Sequence, residues 1–481
     1  MKNFLKKYPL LIVIIIIAFT LRLYKINNPI LDWHSWRQAD TASVTREYLK
    51  TDLNPLYPKY HDLSNIPSGK FNPEGYRMVE FPIYNIIVAF ILKTFQTLQL
   101  EATSRMVSII FSLGTLVSIF FLTKSVYGKK TAHLAALAFA IIPYSVFYSR
   151  TVLPEPTMLF LSTFSLLMFK LYLTRNKFHY YSLSLISLAL AFLLKPFVVF
   201  LAPVYLQIYL EKKGWKTFID FKLYLFGILS VIPFLLWRNW IVNFPEGIPA
   251  SDWLFNGNGI RFRPAWLRWL GYERITKLIL GYVGVIFLPI SFINAVKTKN
   301  WFIPSWWLGV GIYLSVIATG NVQHDYYQVF ITPIIAITLA HGIIILDKYL
   351  YKKFNALVSI TTIGITVILM LYFSFQQVKG YFNINHPERL EAGIAANRLL
   401  PKDAIVIAPA FGDTAFLFQT NRSGWPIGFE IDDKIEKGAT HYVTTSMDDE
   451  AKQLEKKFKV IEKTENYMIL DLTQERTEEI K

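Results

Sequence analysis

The sequence predicts a polytopic α-helical membrane protein that carries a small α/β domain near its C-terminal end. The 481 residues are 53% hydrophobic and 16% aromatic, with a mean hydropathy of +0.34, and soluble domains of this length are rarely so apolar. Uncharged runs such as Leu10–Leu21 and Ile360–Phe373 recur along the chain and are typical of membrane-spanning helices. After residue 380 or so this pattern stops and is replaced by shorter helical and strand-like segments.

About eleven segments approach the ~20 residues that a helix needs to cross the hydrocarbon of a bilayer. They lie at roughly 8–24, 105–123, 132–149, 156–174, 180–194, 196–210, 223–242, 276–294, 301–319, 329–346 and 356–377. The first is interpreted as an uncleaved signal anchor, because no small-residue cleavage site follows it.

The basic residues between these segments predict the orientation of the chain. The apolar stretch 81–92 is short for a span, and it is assigned to the outer interface because this choice puts every basic gap on the cytoplasmic side. The residues assigned to that side include Lys2, Lys6, Lys7, Lys124, Lys129, Lys130, Arg175, Lys177, Lys212, Lys213, Lys216, Lys297, Lys299, Lys348, Lys352 and Lys353. We therefore expect a cytoplasmic N-terminus in the plasma (inner) membrane, a large first outer loop at 25–104 and an extracytoplasmic tail.

Composition excludes several kinds of chemistry. The chain has no cysteine, which excludes disulfides, thiolate metal sites and cysteine nucleophiles. The formal charge of +16 is explained by the positive-inside rule, and we expect no nucleic-acid partner. No H-x-x-x-H pattern, carboxylate cluster or Gly-rich phosphate loop stands out, so neither a metal nor a cofactor is predicted.

The first outer loop opens with a polar motif, Asp32-Trp-His-Ser-Trp-Arg37-Gln-Ala-Asp40-Thr-Ala. The residues after Asp40 suggest a helix that lies on the membrane. A carboxylate held ionised near a reacting hydroxyl or amine can act as a general base, and Asp40 is the candidate, with Asp32 as its competitor. The alternative is a loop aspartate that forms an ion pair with Arg37.

Two further acids stand at helix starts on the predicted outer side. Glu80 precedes the interfacial stretch, and Glu155 lies between two prolines in Arg150-Thr-Val-Leu-Pro-Glu155-Pro156. Charged residues at the edge of the hydrocarbon are costly and often functional. The alternative is that both are helix N-terminal charges, with Glu155 paired to Arg150.

Cations and aromatic residues complete the outer-side pattern. Lys195 interrupts a long apolar stretch, and Arg261 and Arg263 belong to an aromatic-rich loop, where they could bind a lipid phosphate. His324, Tyr326 and Tyr327 could contact a sugar or phosphate. The alternatives are a snorkelling lysine, an amphipathic surface helix and an interfacial aromatic belt.

In this order the motifs resemble the polyprenyl-phosphate-dependent glycosyltransferases of the GT-C fold. The similarity covers roughly residues 8–345 and is greatest to glycosyltransferase family 39 and its relatives, the bacterial aminoarabinose transferases and protein O-mannosyltransferases. The segments that carry it are Trp36-Arg37-Gln38-Ala39-Asp40-Thr41-Ala42, Glu80-Phe81-Pro82, Ser149-Arg150-Thr-Val-Leu-Pro-Glu155-Pro156, Leu194-Lys195-Pro196 and His324-Asp325-Tyr326-Tyr327.

The resemblance implies an inverting transferase that moves a sugar from a polyprenyl-phosphate donor to a lipid, glycan or protein acceptor in the cell envelope. It implies Asp40 and Glu155 as catalytic carboxylates, and Arg37, Glu80 and Arg150 in substrate binding. Many members have Lys-Pro-Pro where this chain has Glu80-Phe81-Pro82, so Lys195, or Arg261 and Arg263, is expected to bind the lipid phosphate. The rival hypothesis is a transporter or flippase for lipid-linked sugars.

The prediction therefore divides the chain into a membrane module at 1–380 and an extracytoplasmic domain at 381–481. In the latter, 387–400 predicts an amphipathic helix, Ala404–Pro409, Thr440–Thr445 and Tyr467–Leu472 predict strands, and 447–457 predicts a charged helix. Asn421–Trp425 is interpreted as a turn. Acceptor recognition and a structural cap remain alternative roles for this domain.

Overall fold

The computed structural model describes residues 7–476, which form two compact units. Lys2 and Lys6 of the orientation argument lie outside the described residues. The first unit comprises the described part of 1–26 together with Met106–Asn239 and Ser251–Gly380. The second comprises Asn27–Arg105, Trp240–Ala250 and the described part of 381–481. Residues 27–105, which cover most of the predicted first outer loop, lie in the same unit as the tail and not with the membrane helices. The division into a membrane module at 1–380 and an extracytoplasmic domain at 381–481 stays a prediction.

The first unit is helical. Its α-helices are Pro9–Arg22, Leu100–Ile141 (from Met106 onward), Pro143–Tyr148, Glu155–Arg175, Phe178–Leu194, Ala202–Lys213, Phe221–Ile241, Trp253–Asn256, Pro264–Leu267, Phe287–Lys297, Phe302–Val316, Ala318–Gln323, Thr332–Lys353 and Ala356–Val378. Short 3-10 helices occupy Pro196–Leu201, Gly214–Ile219, Ile260–Phe262, Val283–Ile286, Asp325–Ile331 and Lys379–Phe382 (as far as Gly380), and Arg268–Ile279 is a π-helix.

All eleven predicted spans fall on helical segments, but length and apolarity single out fewer of them. Within the described residues, five helices are long and apolar enough to cross a membrane, or six if the bent pair Pro264–Ile279 and Val283–Lys297 is one span. Helix Leu100–Ile141 joins two predicted spans and is broken at Gly128, where φ is +83°. The chain is a multi-pass membrane protein, and the number eleven remains a prediction.

A buried arginine stabilises one helix end inside the first unit. Helix Leu100–Ile141 ends before Ile142, which precedes Pro143 and is not helical, as expected because proline disfavours helical geometry in the residue that precedes it. The guanidinium of Arg22, which is fully buried, donates to the carbonyl oxygens of Phe139 (3.1 Å) and Ala140 (2.9 Å) and to the Ser112 hydroxyl (3.1 Å). These are carbonyls that a helix end leaves without an intrahelical partner, so Arg22 satisfies them in the buried interior of the unit.

The second unit combines the outer loop with a five-stranded sheet. Its α-helices are Ser35–Lys50, Ile83–Thr94, Pro387–Leu399, Thr414–Gln419, Ile431–Glu436 and Asp449–Lys457, with a 3-10 turn at Pro245–Gly247. The strands are β1 Ile405–Ile407, β2 Ser423–Trp425, β3 His441–Thr444, β4 Phe458–Lys463 and β5 Met468–Glu475, in the order β2-β1-β3-β5-β4. β1 pairs in parallel with β2 and β3, whereas β5 is antiparallel to β3 and β4.

The structure corrects one prediction for this sheet and adds one strand that was not predicted. Residues 423–425, interpreted as part of a turn, form β2, and β4 was not predicted. β2 is a strand because Gly424 has a φ of +153° and lies so close to β1 that an added Cβ would be 1.8 Å from the carbonyl oxygen of Val406. β4 was not predicted because polar and apolar residues do not alternate along it, and its side chains are mostly charged or half-buried.

The outer loop is joined to the edge of this sheet by backbone hydrogen bonds. The amide of Leu63 donates to the carbonyl of Gly424 (2.8 Å), and the amide of Gly424 donates to the carbonyl of His61 (2.9 Å). Asp62 thereby forms a parallel bridge with Gly424. Residues 61–63 therefore cover the edge of β2, which explains why the loop and the tail form one unit.

Candidate functional site

Asp40 lies in the middle of helix Ser35–Lys50, in the second unit. The helix is not a one-sided membrane-surface helix within this unit, because every residue from Arg37 to Thr45 is buried. One face packs on helix Ile83–Thr94, where Asn85 donates to the carbonyl of Thr41 (2.6 Å). Another packs on helix Thr414–Gln419. Asp40 is consequently only 4% exposed.

Two side chains hold the carboxylate of Asp40. Arg77 donates from Nη2 to Oδ2 (2.8 Å), and the hydroxyl of Thr414 donates to Oδ1 (2.7 Å). The ion pair with Arg37 considered from the sequence is wrong, since the ion-pair partner of Asp40 is Arg77. Hydrogen bonds to both oxygens fix the plane of the carboxylate.

Arg37 forms an ion pair with Glu80 instead, so two predicted residues are in direct contact. Both side chains are nearly buried. Helix Ile83–Thr94 begins with Ile83, three residues after Glu80, so Glu80 stands before the helix and not in its first turn. The alternative of a helix-terminal charge at Glu80 is therefore replaced by its ion pair with Arg37.

Asp32, the competing base, is also buried and held. It accepts a hydrogen bond from Nε2 of Gln38 (2.7 Å) and lies 3.4 Å from Nη2 of Arg105. Arg105 is fully buried and also donates to the carbonyl of Asn28. Burial and ion pairing alone therefore do not separate Asp32 from Asp40.

His61 and Asp62 lie beside the contact between Thr414 and Asp40. Nε2 of His61 lies 3.0 Å from the carbonyl oxygen of Thr414, which can only accept, so Nε2 carries the proton. Burial lowers the pKa of His61 to about 4, against the attraction of Asp40. Burial also raises the pKa of the neighbouring Asp62 to about 6. His61 is therefore a neutral donor at neutral pH.

Glu155 and Lys195 meet in the first unit. Glu155 starts helix Glu155–Arg175, and Pro156 fits its first turn because the amide missing from proline is not needed there. Lys195 follows helix Phe178–Leu194, which ends before Pro196. Nζ of Lys195 lies 3.2 Å from Oε1 of Glu155, and both side chains are largely buried.

This pairing replaces one alternative from the sequence. Arg150, suggested as the partner of Glu155, donates to the carbonyl of Lys25 (2.7 Å). Oε2 of Glu155 is buried and has no hydrogen-bond partner among the described residues. Oε1 of Glu155 is thus held by the cation Lys195, whereas Oε2 is still able to accept a hydrogen bond.

His324, Tyr326 and Tyr327 form an aromatic stack in the first unit. The His324 ring lies 5.5 Å from the ring of Tyr326, which lies 4.6 Å from that of Tyr327. Asp325 anchors the stack: it is buried and accepts a hydrogen bond from the Tyr148 hydroxyl at 2.5 Å. Both tyrosines are buried as well, unlike a belt of exposed interfacial aromatics.

The two candidate arginines of the aromatic loop differ in exposure. Arg261 is half-buried and donates to the carbonyl of Val316 (3.3 Å), whereas Arg263 is exposed immediately before helix Pro264–Leu267. No group of three or more His, Asp or Glu side chains within residues 7–476 is arranged to hold a metal ion.

The structure thus forms three contacts between residues that the sequence analysis selected or quoted: Arg37 with Glu80, Glu155 with Lys195, and the stack of His324, Tyr326 and Tyr327. The structure also shows that Arg77 and Thr414 contact the carboxylate of Asp40. No motif marked either residue, and Thr414 is 374 positions away from Asp40 in the chain.

Comparisons with known proteins find similarity in sequence and in fold. Residues 82–240 match the family model described as dolichyl-phosphate-mannose-protein mannosyltransferase. An uncharacterized protein of Aquifex aeolicus (strain VF5) is 27% identical over 223 residues, which is 41% of this chain and half the length of that relative.

The similarity to solved structures extends over nearly the whole chain. ArnT from Cupriavidus metallidurans in the apo state aligns with a TM-score of 0.67 at 11% identity, over 95% of this chain and 97% of ArnT. ArnT bound to undecaprenyl phosphate aligns at 0.61 and 10% identity, over 96% and 98%. The Archaeoglobus fulgidus oligosaccharyltransferase in complex with Zn and sulfate aligns at 0.57 and 14% identity, over 91% of this chain and 68% of that chain. The chain therefore has the fold of these proteins, and its resemblance to the GT-C glycosyltransferases is confirmed.

Proposed function

We propose that this protein is a membrane glycosyltransferase that moves a sugar from a polyprenyl-phosphate donor to an acceptor on the outer face of the membrane. The observation that carries the proposal is the carboxylate of Asp40, buried in the first outer loop and held at both oxygens by Arg77 and Thr414. The fold shared with ArnT, one structure of which contains undecaprenyl phosphate, supports the class of donor.

The proposed reaction is a single displacement at the anomeric carbon of the sugar. A lone pair on the acceptor oxygen or nitrogen attacks this carbon, and the bond from the carbon to the phosphate oxygen breaks. The acceptor proton passes to Asp40, and the bonding electrons leave with the polyprenyl phosphate. Each oxygen of Asp40 uses one lone pair on its present partner, so acceptor sites remain for that proton. Displacement from one side inverts the anomeric configuration.

The roles proposed for the first unit follow from its charges. Lys195, with Arg261 and Arg263, stabilises the charge on the departing lipid phosphate. Glu155 holds Lys195 in place through the 3.2 Å contact. Its second oxygen, which has no partner among the described residues, accepts a hydrogen bond from a substrate hydroxyl.

Substrate binding draws on the remaining predicted residues. Arg37 and Glu80 orient the outer loop through their ion pair, and Arg150 orients the segment that follows Lys25. His324, Tyr326 and Tyr327 offer aromatic surfaces and polar atoms to the donor sugar or phosphate. The sugar and the acceptor are outcomes of the experiment below.

The test is a transfer assay on the full-length protein in lipid nanodiscs. Radiolabelled polyprenyl-phosphate sugars serve as donors and native membranes as the source of acceptors. Wild type, Asp40→Asn and Asp32→Asn are compared with Asp52→Asn, in which an exposed acid of the same loop is changed. We expect transfer by wild type and Asp52→Asn, and a loss of about 10²–10⁴-fold in Asp40→Asn.

The other outcomes distinguish the alternatives. Transfer that persists in Asp40→Asn but is lost in Asp32→Asn would move the base to Asp32. Absence of transfer from every donor, together with movement of labelled lipid across the bilayer, would replace the enzyme with a carrier of lipid-linked sugars.

A further inference from the structure

We infer that the C-terminal domain supplies a positioning residue to the active site: Thr414 orients the carboxylate of Asp40. The inference rests on the proposed function, since it concerns the residue proposed as the base. It assigns the tail a part in the reaction, where acceptor recognition and a structural cap were the alternatives.

The direct observation is the hydrogen bond from the Thr414 hydroxyl to Oδ1 of Asp40 at 2.7 Å. The hydroxyl has one proton and a second possible acceptor, the carbonyl of Trp36 at 3.2 Å. The carboxylate is both nearer and charged, so it takes the proton in preference. Thr414 is 6% exposed and Asp40 is 4% exposed, so water does not compete for this bond.

Thr414 is itself held firmly on two sides. The ring of His61 donates to its carbonyl oxygen, and Asp413 caps the helix by accepting from the amide of Ala415 (2.8 Å). Asp413 in turn pairs with Arg389 of helix Pro387–Leu399 at 3.3 Å. The hydroxyl therefore belongs to a rigid part of the tail, which is the condition for it to orient another group.

Further contacts join helix Thr414–Gln419 to the outer loop independently of Asp40. Arg46 donates to the carbonyl of Phe418 (2.9 Å), and its guanidinium lies 3.6 Å from the centre of the Phe418 ring. Gln419 donates to the carbonyl of Ile30 (3.2 Å). Loss of the Thr414 hydroxyl would leave these contacts intact, so its effect on orientation can be measured apart from docking of the helix.

The two bonds on Asp40 have different consequences for catalysis. Arg77 compensates the charge at Oδ2, whereas Thr414 restrains rotation of the carboxylate from the other oxygen. A base must stay within hydrogen-bond reach of the proton that it removes, and small misplacements are costly in rate. The expected signature is a lower kcat with little change in the KM for the donor, because Thr414 acts through Asp40.

The experiment compares Thr414→Val, which keeps the shape but removes the hydroxyl, with Thr414→Ser, which keeps the hydroxyl. The matched control is Thr420→Val: Thr420 is buried at the end of the same helix, and its hydroxyl donates to the carbonyl of Leu417 (2.7 Å). We expect kcat to fall about 10-fold or more in Thr414→Val, since a hydrogen bond to a charged group is lost. Thr414→Ser should stay within about 3-fold of wild type, as conserved hydrogen bonding implies.

The inference is overturned if Thr414→Ser is as impaired as Thr414→Val, or if Thr420→Val falls equally. If the wild type transfers nothing, the proposed function fails, and the contact is judged by unfolding midpoints of Thr414→Val, Asp40→Asn and the double variant. Non-additive midpoints would then support the action of Thr414 on Asp40, and additive midpoints would reject it.

Discussion

The ion pair between Arg77 and Asp40 gives the clearest quantitative prediction, through the variant Arg77→Met. Nη2 of Arg77 and Oδ2 of Asp40 are 2.8 Å apart, and their side chains are 11% and 5% exposed. At an effective dielectric constant of about 20, two unit charges at this distance attract by ~6 kcal/mol. Much of that attraction offsets the cost of removing both groups from water.

Removing Arg77 leaves the cost of burying the Asp40 carboxylate without compensation. Arg77→Met leaves a buried carboxylate without its cation, a change that typically destabilises a protein by about 3–5 kcal/mol. For a folded unit of roughly 150–250 residues this corresponds to a thermal midpoint lower by about 6–20 °C. Adding Asp40→Asn removes the uncompensated charge, so the double variant should be more stable than Arg77→Met alone.

The assay is thermal unfolding of the full-length protein in nanodiscs, followed by tryptophan fluorescence, since the chain has 12 tryptophans. All variants are heated at one scan rate because unfolding of such proteins is commonly irreversible. The matched control is Lys59→Met, in which a half-exposed partner of Glu74 in the same loop is removed. We expect that midpoint to change little, since exposed pairs contribute only ~0–1 kcal/mol. Additive effects of Arg77→Met and Asp40→Asn would refute the reasoning.

Two further predictions concern Lys195 and the buried pair His61 and Asp62. Lys195→Met should lower transfer at least ~10-fold, because the charge opposite the lipid phosphate is lost, whereas Lys195→Arg should retain more activity. Equal activities of the two variants in the transfer assay would contradict a charge role for Lys195. The stabilising contribution of neutral His61, with its pKa lowered to about 4 by burial, is present above pH ~6.5 and lost as pH falls toward 4. Asp62 acts in the opposite direction: burial raises its pKa to about 6, so its contribution is present below pH ~3.8 and lost as pH rises through 6. As the pH is lowered from 6.5 to 4, the thermal midpoint of Asp62→Asn should therefore fall, because only His61 titrates there. The midpoint of His61→Asn should rise over the same range, because only Asp62 titrates. Parallel profiles of the two variants would contradict the assignment.

Hydrophobic patterning predicted the elements that depend on the local sequence. The apolar segments are helices because a run of such residues needs every backbone polar group satisfied internally. The end of helix Phe178–Leu194 and the start of helix Glu155–Arg175 follow from adjacent prolines. The helix at 387–399, the charged helix at 449–457 and three of the five strands were predicted for the same reason. β2 was missed because the close packing of Gly424 against β1 is decided by a partner distant in sequence. β4 was missed because its residues show no clear alternation.

Short motifs supplied the candidate residues but not their partners. Glu155 and Lys195 were selected because charge beside apolar sequence is costly. Asp40 was selected as a carboxylate in a polar motif that could act as a general base. The ion pairs considered as alternatives joined sequence neighbours, Arg37 with Asp40 and Arg150 with Glu155. In both cases the observed partner is more remote in sequence.

The sequence by itself thus determined the helical membrane architecture, the class of fold and the acids and cations worth testing, because hydrophobicity and charge are properties of each residue and its neighbours. Only the tertiary structure decided that the first outer loop and the tail fold as one unit, and that Arg77 and Thr414 hold Asp40. A hydrogen bond between residues 40 and 414 depends on how two helices pack, and no local pattern in the chain encodes that geometry.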